Sequence, residues 1–315
     1  MSNFNEIVKN IRSLLIGPAI SRFAPSPTGY LHVGHVVSCL YVFGITRELG
    51  GQVLVRIEDH DLVRSRTIYD EAIREDLAWL GLIPDRSPWP DLGDFVPELR
   101  QSTRAKIHAE RLADLTTKGL TYRCDCSRKG MAQNSDGELF HDGRCKNRQV
   151  TLESPHGIRV LMPDRDFIFA DLALNTQRQN PQIQLGDLLA RDRTCQWTYQ
   201  FACTVDDLDQ GINLIIRGED LLSSTGRQLA LRELLIDHKE ANFTPAAPHF
   251  FHHPLIKDEA GKKLGKRFLS TSIRQMRLDG QTPEAVLGLA TFLAGKLDRQ
   301  VPLDLSSALT LFARK

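Results

Sequence analysis

The feature that most constrains the fold is an alternation of short apolar strands and amphipathic helices near the start of the chain. A strand-like run at 19–24 leads through a loop rich in proline and glycine into a helix that ends at 50–51. A second strand, 53–57, is followed by a helix over 67–80. This order is typical of a parallel sheet with right-handed crossovers. The sequence therefore predicts an α/β fold, a Rossmann-like doubly wound parallel sheet.

Ligands of such sheets bind beyond the carboxyl ends of the strands. The remainder of the chain is interpreted as an insertion in this fold, its continuation and a helical end. A helix start is predicted at 282–283 and a stop at Gly295. The spacing of apolar residues predicts a helical amino-terminal extension, 1–18. The segments predicted after it are the first half of the catalytic domain, 19–102, an insertion, 103–185, the second half of the catalytic domain, 186–256, and a lysine-loop and helical carboxyl-terminal region, 257–315.

Composition limits the class of protein and its compartment. The formal net charge is +1 and 41% of residues are hydrophobic, so a nucleic-acid surface would have to be a local basic patch. No stretch approaches the roughly 20 apolar residues of a membrane span, and the first residues lack the apolar core of a secretory signal. We therefore expect a cytoplasmic protein that does not contact membranes, with reduced cysteines, and a monomer.

Two histidines three residues apart stand where the first loop enters its helix, predicted from about His35. Imidazole N–H groups of His32 and His35 can hydrogen-bond phosphate oxygens, and the helix amino terminus adds a partial positive charge. Gly34, which has no side chain, would let an adenine ring lie against the backbone. A pair of surface histidines is the alternative for an isolated His-x-x-His, but the preceding strand and loop favour a nucleotide site.

A lysine-rich loop at 262–267 is the second candidate for binding phosphates. Considered alone, its composition indicates only a solvated cationic loop. Together with the histidine loop, it predicts a loop that closes on the triphosphate of ATP, with Lys263 and Lys266 contacting phosphate. Such chemistry needs no protein nucleophile, because a carboxylate attacks the α-phosphate and the protein supplies alignment and charge. Lys266 is the candidate transition-state cation, supported by His32 and His35, and Mg²⁺ is expected with the ATP.

These segments resemble those of a known enzyme family. The string 22–35, the strand end 56–59 and the lysine loop resemble class I aminoacyl-tRNA synthetases of the glutamyl branch, whose signatures are written HIGH and KMSKS, and the resemblance extends over about 19–295. It implies a Rossmann-like catalytic domain with an acceptor-end insertion. Gly265 departs from the serine common in the lysine loop, and the extension 1–18 has no expected counterpart.

Within that branch the chain looks like the short paralogues, the glutamyl-queuosine tRNA(Asp) synthetases. Its end at Lys315 leaves no room for an anticodon-binding domain, and the Cys-x-Cys in the insertion is also similar. The resemblance implies ATP-dependent formation of glutamyl-adenylate from L-glutamate, then transfer to queuosine in the anticodon region of tRNA(Asp). A truncated glutamyl-tRNA synthetase charging a tRNA 3′ end, and a catalytically silent RNA-binding paralogue, remain as alternatives.

The resemblance also implies a glutamate pocket, and the charges of glutamate fit it. Arginines can bind the two carboxylates in bidentate fashion and a glutamate can accept from the ammonium group. For Arg217, the alternative to binding glutamate is a structural ion pair with Glu219 or Asp220. The sequence also leaves open which arginine binds which carboxylate of glutamate. The implied glutamate-binding positions are Arg22, Ala24, Ser26, Glu58, Tyr199 and Arg217.

A set of cysteine and histidine residues in the insertion predicts one structural zinc ion. Cys124, Cys126, His141 and Cys145 supply three thiolates and an imidazole, and four protein ligands make a closed site. His156 could replace His141, and unmetallated thiols are the alternative to zinc. The other cysteines, at 39, 195 and 203, lie in apolar contexts and are predicted to be core residues.

Overall fold

The computed structural model describes residues 12, 15, 17–134, 137–148, 150–151, 153–236, 246–256 and 271–313, apart from the side chain of Arg128. Most of the predicted amino-terminal helix and the whole lysine loop, with Lys263, Gly265 and Lys266, lie outside the described residues.

The regular elements alternate much as the sequence pattern predicts. The strands are β1 Ile20–Phe23, β2 Gln52–Val55, β3 Arg86–Ser87, β4 Asp94–Phe95, β5 Thr121–Cys124, β6 Ala132–Gln133, β7 Leu139–Phe140, β8 Gly157–Val160, β9 Phe167–Asp171, β10 Asn175–Gln179, β11 Leu188–Arg191, β12 Leu214–Gly218 and β13 His249–His253. The α-helices are α1 Val33–Glu48, α2 Thr67–Trp79, α3 Ala105–Thr117, α4 Pro181–Leu185, α5 Tyr199–Asp209, α6 Thr225–Leu235, α7 Ile273–Leu278, α8 Pro283–Leu293 and α9 Leu305–Ala313. Single 3₁₀ turns are Pro97–Leu99, Gln101–Arg104, Arg128–Gly130 and Glu219–Ser224.

Two parallel groups of strands form the centre of the fold. Strands β1, β2, β3 and β4 pair in that order and in parallel, while β12, β13 and β9 form a second parallel group with β10 antiparallel at its edge. The N–H of Asn213 donates to the carbonyl of Ile20 at 3.1 Å, and the N–H of Ile20 donates to Asn213 Oδ1 at 2.7 Å. These bonds join β12 to β1, so the chain order reverses between them, as in doubly wound folds. The predicted fold class is confirmed.

The insertion has a small antiparallel sheet of its own. Strands β11, β8 and β5 pair in that order, and β6 and β7 form a hairpin. Strand β9 lies within the predicted insertion, 103–185, yet pairs with β13 of the parallel group, with Asp171 opposite Phe250. Strand β11 lies after the predicted boundary but belongs to the antiparallel sheet. The boundaries of the insertion therefore do not coincide with the edges of one sheet.

Helix α1 is buried on nearly all its faces, because carboxyl-terminal helices cover the side away from the sheet. The carbonyl of Leu309, in α9, approaches Gly44 so closely that a Cβ there would lie 2.8 Å from it. The helix begins at Val33, two residues before the predicted start, and Gly50 follows it at φ +68°. Helix α8 has the predicted cap, since Thr282 Oγ1 accepts from the N–H of Ala285 at 3.3 Å.

The three cysteines outside the insertion do not share one environment. Cys39 and Cys203 are buried, as predicted, but Cys195 is exposed and has φ +62°, so its assignment to the core is wrong. It lies in a turn in which Asp192 Oδ1 accepts backbone bonds from Thr194 and Gln196, and this turn chemistry outweighs the apolar neighbours in sequence.

Among the residues that the structure describes, none of the helices combines the length and apolarity that crossing a membrane requires.

Candidate active site and metal centre

The two histidines of the first loop cap helix α1 through each other. His32 is the N-cap residue, and its Nδ1 accepts from the N–H of Gly34 at 3.1 Å. The Nδ1 of His35 accepts from the N–H of His32 at 3.1 Å, and the two ring centroids are 3.9 Å apart. Because both Nδ1 atoms accept hydrogen bonds, each neutral ring carries its proton on Nε2. Two N–H donors are thereby held beside the helix amino terminus.

Burial keeps these rings neutral. It lowers the pKa of His32, and it lowers the pKa of His35 to about 3, with the neighbouring His32 contributing. At neutral pH the site therefore offers two neutral imidazole donors, and the positive potential comes from the helix terminus and from cations elsewhere.

A cavity of about 320 Å³ opens at the point where the strand order reverses. Its walls come from the start of α1 and from the segments that follow β12 and β13. It is lined by His32, Gly34, His35, Val37, Ser38, Gly218, Asp220, His253, Pro254, Leu255 and Ile256. The position between β1 and β12 is where doubly wound folds bind their ligands.

The described residues on both sides of 257–270 adjoin this cavity. Leu255 and Ile256 line it on the amino-terminal side. On the carboxyl-terminal side, the N–H of Ile273 donates to the carbonyl of Leu31 at 2.8 Å, and Ser272 forms a β-bridge with His32. The described residues before and after 257–270 therefore both lie at this cavity.

Four charged side chains form a buried network below the first loop. Asp207 Oδ1 accepts from Arg22 Nε at 3.0 Å and from Arg56 Nη1 at 2.6 Å, while Arg56 Nη2 donates to Glu58 Oε1 at 3.0 Å. Burial opposes ionisation of Asp207, but the two guanidinium groups outweigh it and lower its pKa to about 2. Burial raises the pKa of Glu58 against the opposing effect of Arg56. The ion pair with Asp207 fixes the side chain of Arg22, and the ion pair with Arg56 fixes the side chain of Glu58.

Arg217, at the end of β12, is held by three neutral side chains. Its Nε donates to His252 Nε2 at 3.0 Å, its Nη1 to Gln228 Oε1 at 2.6 Å, and its Nη2 to Thr225 Oγ1 at 2.8 Å. Burial lowers its pKa, and burial raises the pKa of Tyr199, which interacts electrostatically with Arg217, Arg22 and Glu58. The structure thus brings four of the predicted glutamate-binding side chains close enough to interact electrostatically, those of Arg22, Glu58, Tyr199 and Arg217.

The remaining two predicted positions, Ala24 and Ser26, lie on the loop after β1. Ala24 is half-buried and Ser26 is exposed. Between them, the carbonyl of Pro25 accepts from the N–H of Glu58 at 3.0 Å, which ties this loop to the end of β2.

A second cavity, of about 670 Å³, extends from Tyr199 to the insertion. It has polar and charged walls as well as the indole of Trp197, and three arginines, Arg64, Arg159 and Arg193, line it. Among its lining residues are Arg64, Cys124, Cys126, Arg193, Trp197 and Tyr199. It therefore reaches from Tyr199 to two residues of the cysteine cluster, Cys124 and Cys126.

That cluster brings together the four predicted metal ligands. The ligand atoms of Cys124, Cys126, His141 and Cys145 lie within 4.8 Å of one another. Cys124 Sγ is 3.4 Å from His141 Nε2, and Cys126 Sγ is 3.4 Å from Cys145 Sγ. A tetrahedral zinc ion with its usual bond lengths separates its ligand atoms by about 3.5–3.8 Å, so the geometry fits zinc. His156 is not part of this group, and its Nδ1 lies 2.8 Å from the carbonyl of Ser154.

A second layer of side chains orients the ligands. Tyr122 Oη lies 3.2 Å from His141 Nδ1 and donates to the buried Asp187 Oδ2 at 2.7 Å. The N–H of Gly143 also donates to this Nδ1 at 3.2 Å, and the two contacts hold the ring with Nε2 toward Cys124. Arg159 Nε donates to Cys124 Sγ at 3.2 Å, which favours the thiolate.

The comparisons with known proteins agree with the fold and with the geometry of the site. Residues 19–295 match the family described as tRNA synthetases class I (E and Q), catalytic domain. The chain belongs to this family. A curated relative, the glutamyl-Q tRNA(Asp) synthetase of Nitratidesulfovibrio vulgaris, is 35% identical over 294 residues, covering 89% of this chain and 88% of the relative. The family's members are ligases, and the resemblance expected from the sequence is confirmed.

Two solved structures are also similar. The glutamate-tRNA synthetase of Elizabethkingia anophelis has a TM-score of 0.75 at 27% identity, covering 95% of this chain and 67% of that chain. A glutamate tRNA ligase of Elizabethkingia meningosepticum, in complex with its amino acid, has a TM-score of 0.74 at 27% identity, covering 95% and 66%. This chain thus spans about two thirds of the length of each.

Sequence reasoning missed several residues that hold the site together. Arg56 belongs to the motif string 56–59 but has no role assigned from the sequence, and Asp207, His252, Gln228 and Thr225 are not singled out there. The available signal was the position of charged residues inside otherwise apolar strands and helices, because a buried charge must be paired.

Proposed function

We propose that this chain activates L-glutamate with ATP and then transfers the glutamyl group to queuosine at the wobble position of tRNA(Asp). In the first step an oxygen of the glutamate α-carboxylate attacks the α-phosphorus of ATP, and pyrophosphate leaves. In the second step a hydroxyl of the queuosine cyclopentene-diol attacks the carbonyl carbon of the adenylate, and AMP leaves. Both steps need alignment and charge stabilisation rather than a protein nucleophile.

One observation carries the proposal: the neutral imidazole pair of His32 and His35 lies at the reversal point of the sheet, next to a buried set of arginines and a glutamate. The cavity beside the imidazoles, about 320 Å³ in volume, is the proposed ATP site, with Gly34 against the adenine. The set containing Arg22, Glu58, Tyr199 and Arg217 is the proposed glutamate pocket. The 35% identity to a curated glutamyl-Q tRNA(Asp) synthetase supports this substrate pair.

The lysine loop completes the proposed phosphate site. Lys266 is the proposed transition-state cation and Lys263 a second phosphate contact, with Mg²⁺ entering on the nucleotide. The described residues on both sides of the loop adjoin the cavity, which supports this role. An ammonium group there adds the positive charge that the two neutral imidazoles lack.

The cavity between Tyr199 and the cysteine cluster is the proposed entrance for the acceptor nucleoside. Two of its three arginines, Arg64 and Arg193, suit a phosphate backbone, and Trp197 offers a surface on which a base can stack. Zinc bound by the cluster would have a structural role, since four protein ligands leave no open position. A cytoplasmic location is expected because tRNA is the proposed partner.

Two assays in sequence test the proposal. The first is glutamate-dependent ATP–pyrophosphate exchange without RNA, and the second is transfer of labelled glutamate to tRNA(Asp) with and without queuosine. Exchange together with transfer only to the queuosine-containing tRNA is the expected result. Absence of exchange would favour a catalytically silent paralogue.

Glutamyl-tRNA synthesis is the second candidate, because the two similar solved structures are glutamate-tRNA synthetases. It would be favoured by transfer that requires a tRNA 3′ end and is indifferent to queuosine. Ribonuclease digestion of the labelled tRNA separates the two, because the label stays on an anticodon oligonucleotide when queuosine is the acceptor and on the 3′-terminal fragment when the terminal ribose is the acceptor.

A further inference from the structure

A buried chain of hydrogen bonds runs from Asp171 through His252 to Arg217. Asp171 lies at the end of β9, His252 in β13 and Arg217 in β12, so neighbouring strands of the parallel group carry the three residues. His252 Nδ1 is 2.6 Å from Asp171 Oδ2, and His252 Nε2 accepts from Arg217 Nε at 3.0 Å. All three side chains are buried.

The contacts of Asp171 determine which ring nitrogen of His252 carries the proton. Asp171 Oδ1 accepts from the N–H groups of Ala173 and Leu174, each at 2.9 Å, and Oδ2 accepts from the N–H of His252 at 3.2 Å. A carboxylate that accepts from so many donors is ionised, so the histidine must donate to it from Nδ1. The neutral ring then has a lone pair on Nε2, which is what the Nε–H of Arg217 requires.

The remaining donors of Arg217 can be counted. Of its five N–H groups, Nε–H is taken by His252, one on Nη1 by Gln228 and one on Nη2 by Thr225. The contacts among the described residues leave two N–H groups, one on each terminal nitrogen, which is the number that a bidentate carboxylate needs. The contacts around Arg217 therefore set the orientation of the guanidinium plane before any substrate arrives.

We propose that His252, held in the Nδ1–H form by Asp171, is the positioning residue that fixes the guanidinium of Arg217 for a carboxylate of the amino acid substrate. This rests on the proposed function only for the identity of that substrate. If His252 carried its proton on Nε2, two N–H donors would face each other and Arg217 would have to turn. The hydrogen-bond chain thus acts on affinity for the amino acid, and none of its three residues is among those that line the cavity beside the imidazole pair.

The chain offers a matched control. His108 Nε2 is 2.9 Å from Asp206 Oδ1, and both side chains are fully buried, so this is a second buried histidine–aspartate pair. It lies between helices α3 and α5 and does not contact Arg217. His108→Phe and His252→Phe therefore remove the same groups from equally buried positions, but only the second change leaves the Nε–H of Arg217 without an acceptor.

The experiment measures kcat and KM for glutamate and for ATP in pyrophosphate exchange, with the unfolding temperature of each variant. We expect His252→Phe to raise KM for glutamate about tenfold or more, the effect of one hydrogen bond to a charged group, with KM for ATP changed less than about twofold. His252→Gln, whose side-chain oxygen can replace Nε2, should restore most of the affinity. His108→Phe should lower the unfolding temperature comparably and leave KM for glutamate unchanged.

Histidine NMR on ¹³C,¹⁵N-labelled protein tests the proposal independently of activity. The His252 resonance, assigned by its loss in His252→Phe, should report the Nδ1–H form, and Asp171→Asn should shift it toward the Nε2–H form. An Nε2–H form in the parent protein would overturn the proposal, as would equal rises in KM for glutamate from His252→Phe and His108→Phe. Absence of exchange in the parent protein would instead refute the proposed function, and NMR and glutamate calorimetry would still decide the role of His252.

Discussion

The substitution Gly186→Ala should remove zinc from the insertion without touching a ligand. Gly186 has φ +68° and forms a β-bridge with His141, whose N–H donates to the carbonyl of Leu185 at 3.3 Å. A Cβ atom at position 186 would lie 1.9 Å from the carbonyl oxygen of His141. The glycine is thus required by its backbone conformation and also by the close approach of the metal-ligand segment.

The size of the effect follows from these two requirements. The backbone of Gly186, at φ +68° and ψ −162°, lies in a region that is essentially restricted to glycine and that costs another residue on the order of 1–3 kcal/mol. Real Cβ atoms essentially never approach another atom within 3.0 Å, so the two segments must separate by about 1 Å. Zinc–ligand distances tolerate about 0.2 Å, so His141 can no longer ligate the ion. Since disturbing only the groups that orient a ligand costs about 10–100-fold in metal affinity, we expect a loss of about 100-fold or more here.

Zinc content of the purified protein and competition with a chromophoric chelator are the measurements. The parent should hold one zinc per chain, and Gly186→Ala well below one. Gly211→Ala is the matched control, because Gly211 has φ +69° but no atom would lie within 4 Å of its Cβ. The control should lose about 1 kcal/mol of stability and keep its zinc. Equal zinc affinity in the parent and in Gly186→Ala would refute the steric reasoning, and a parent without zinc would refute the metal site itself.

Three further predictions follow from other contacts. Burial raises the pKa of Asp76 to about 7, although Arg277 lies 3.5 Å away. The folded state therefore keeps a proton that the unfolded chain loses near pH 4. Asp76→Asn should stabilise the protein in denaturant unfolding by an amount that grows between about pH 4 and pH 7 to on the order of 2–4 kcal/mol. Gly44→Ala should destabilise the protein by about 1–3 kcal/mol in the same assay, because its Cβ would lie 2.8 Å from the Leu309 carbonyl. Lys266→Ala should lower kcat of pyrophosphate exchange about 100-fold with little change in KM for glutamate, and a small effect on kcat would contradict its role.

Local signals in the sequence predicted the elements and most of their ends. The glycine after α1 and the Thr-Pro pair that starts α8 act through their own backbone, so their effect can be read without knowing the fold. The cluster of three cysteines and a histidine was also predictable, because few residue types bind zinc and the thiolates are close in sequence. Cys195 failed, since its apolar neighbours are outweighed by the hydrogen bonds of a turn that only the folded chain completes.

Long-range partners could not be predicted in this way. Asp207 is 185 residues from Arg22 in sequence and His252 is 81 residues from Asp171, and neither distance leaves a periodic signal. What determines these pairs is strand order, which places the ends of β1, β2, β12 and β13 next to one another. The motif strings marked where charge occurs in the chain, whereas the sheet decides which charges meet.

The pairing of those charges bears on which amino acid the pocket can hold. Arg22 and Arg56 contact Asp207 and Glu58 directly, whereas the hydrogen bonds of Arg217 go to neutral side chains and it reaches Asp171 only through His252. Under the proposed function, glutamate supplies a carboxylate for each of Arg22 and Arg217. Glutamine supplies only one, so a buried guanidinium would face an amide, which is costly away from water. The number of substrate carboxylates that the two arginines can bind therefore distinguishes the acid from its amide.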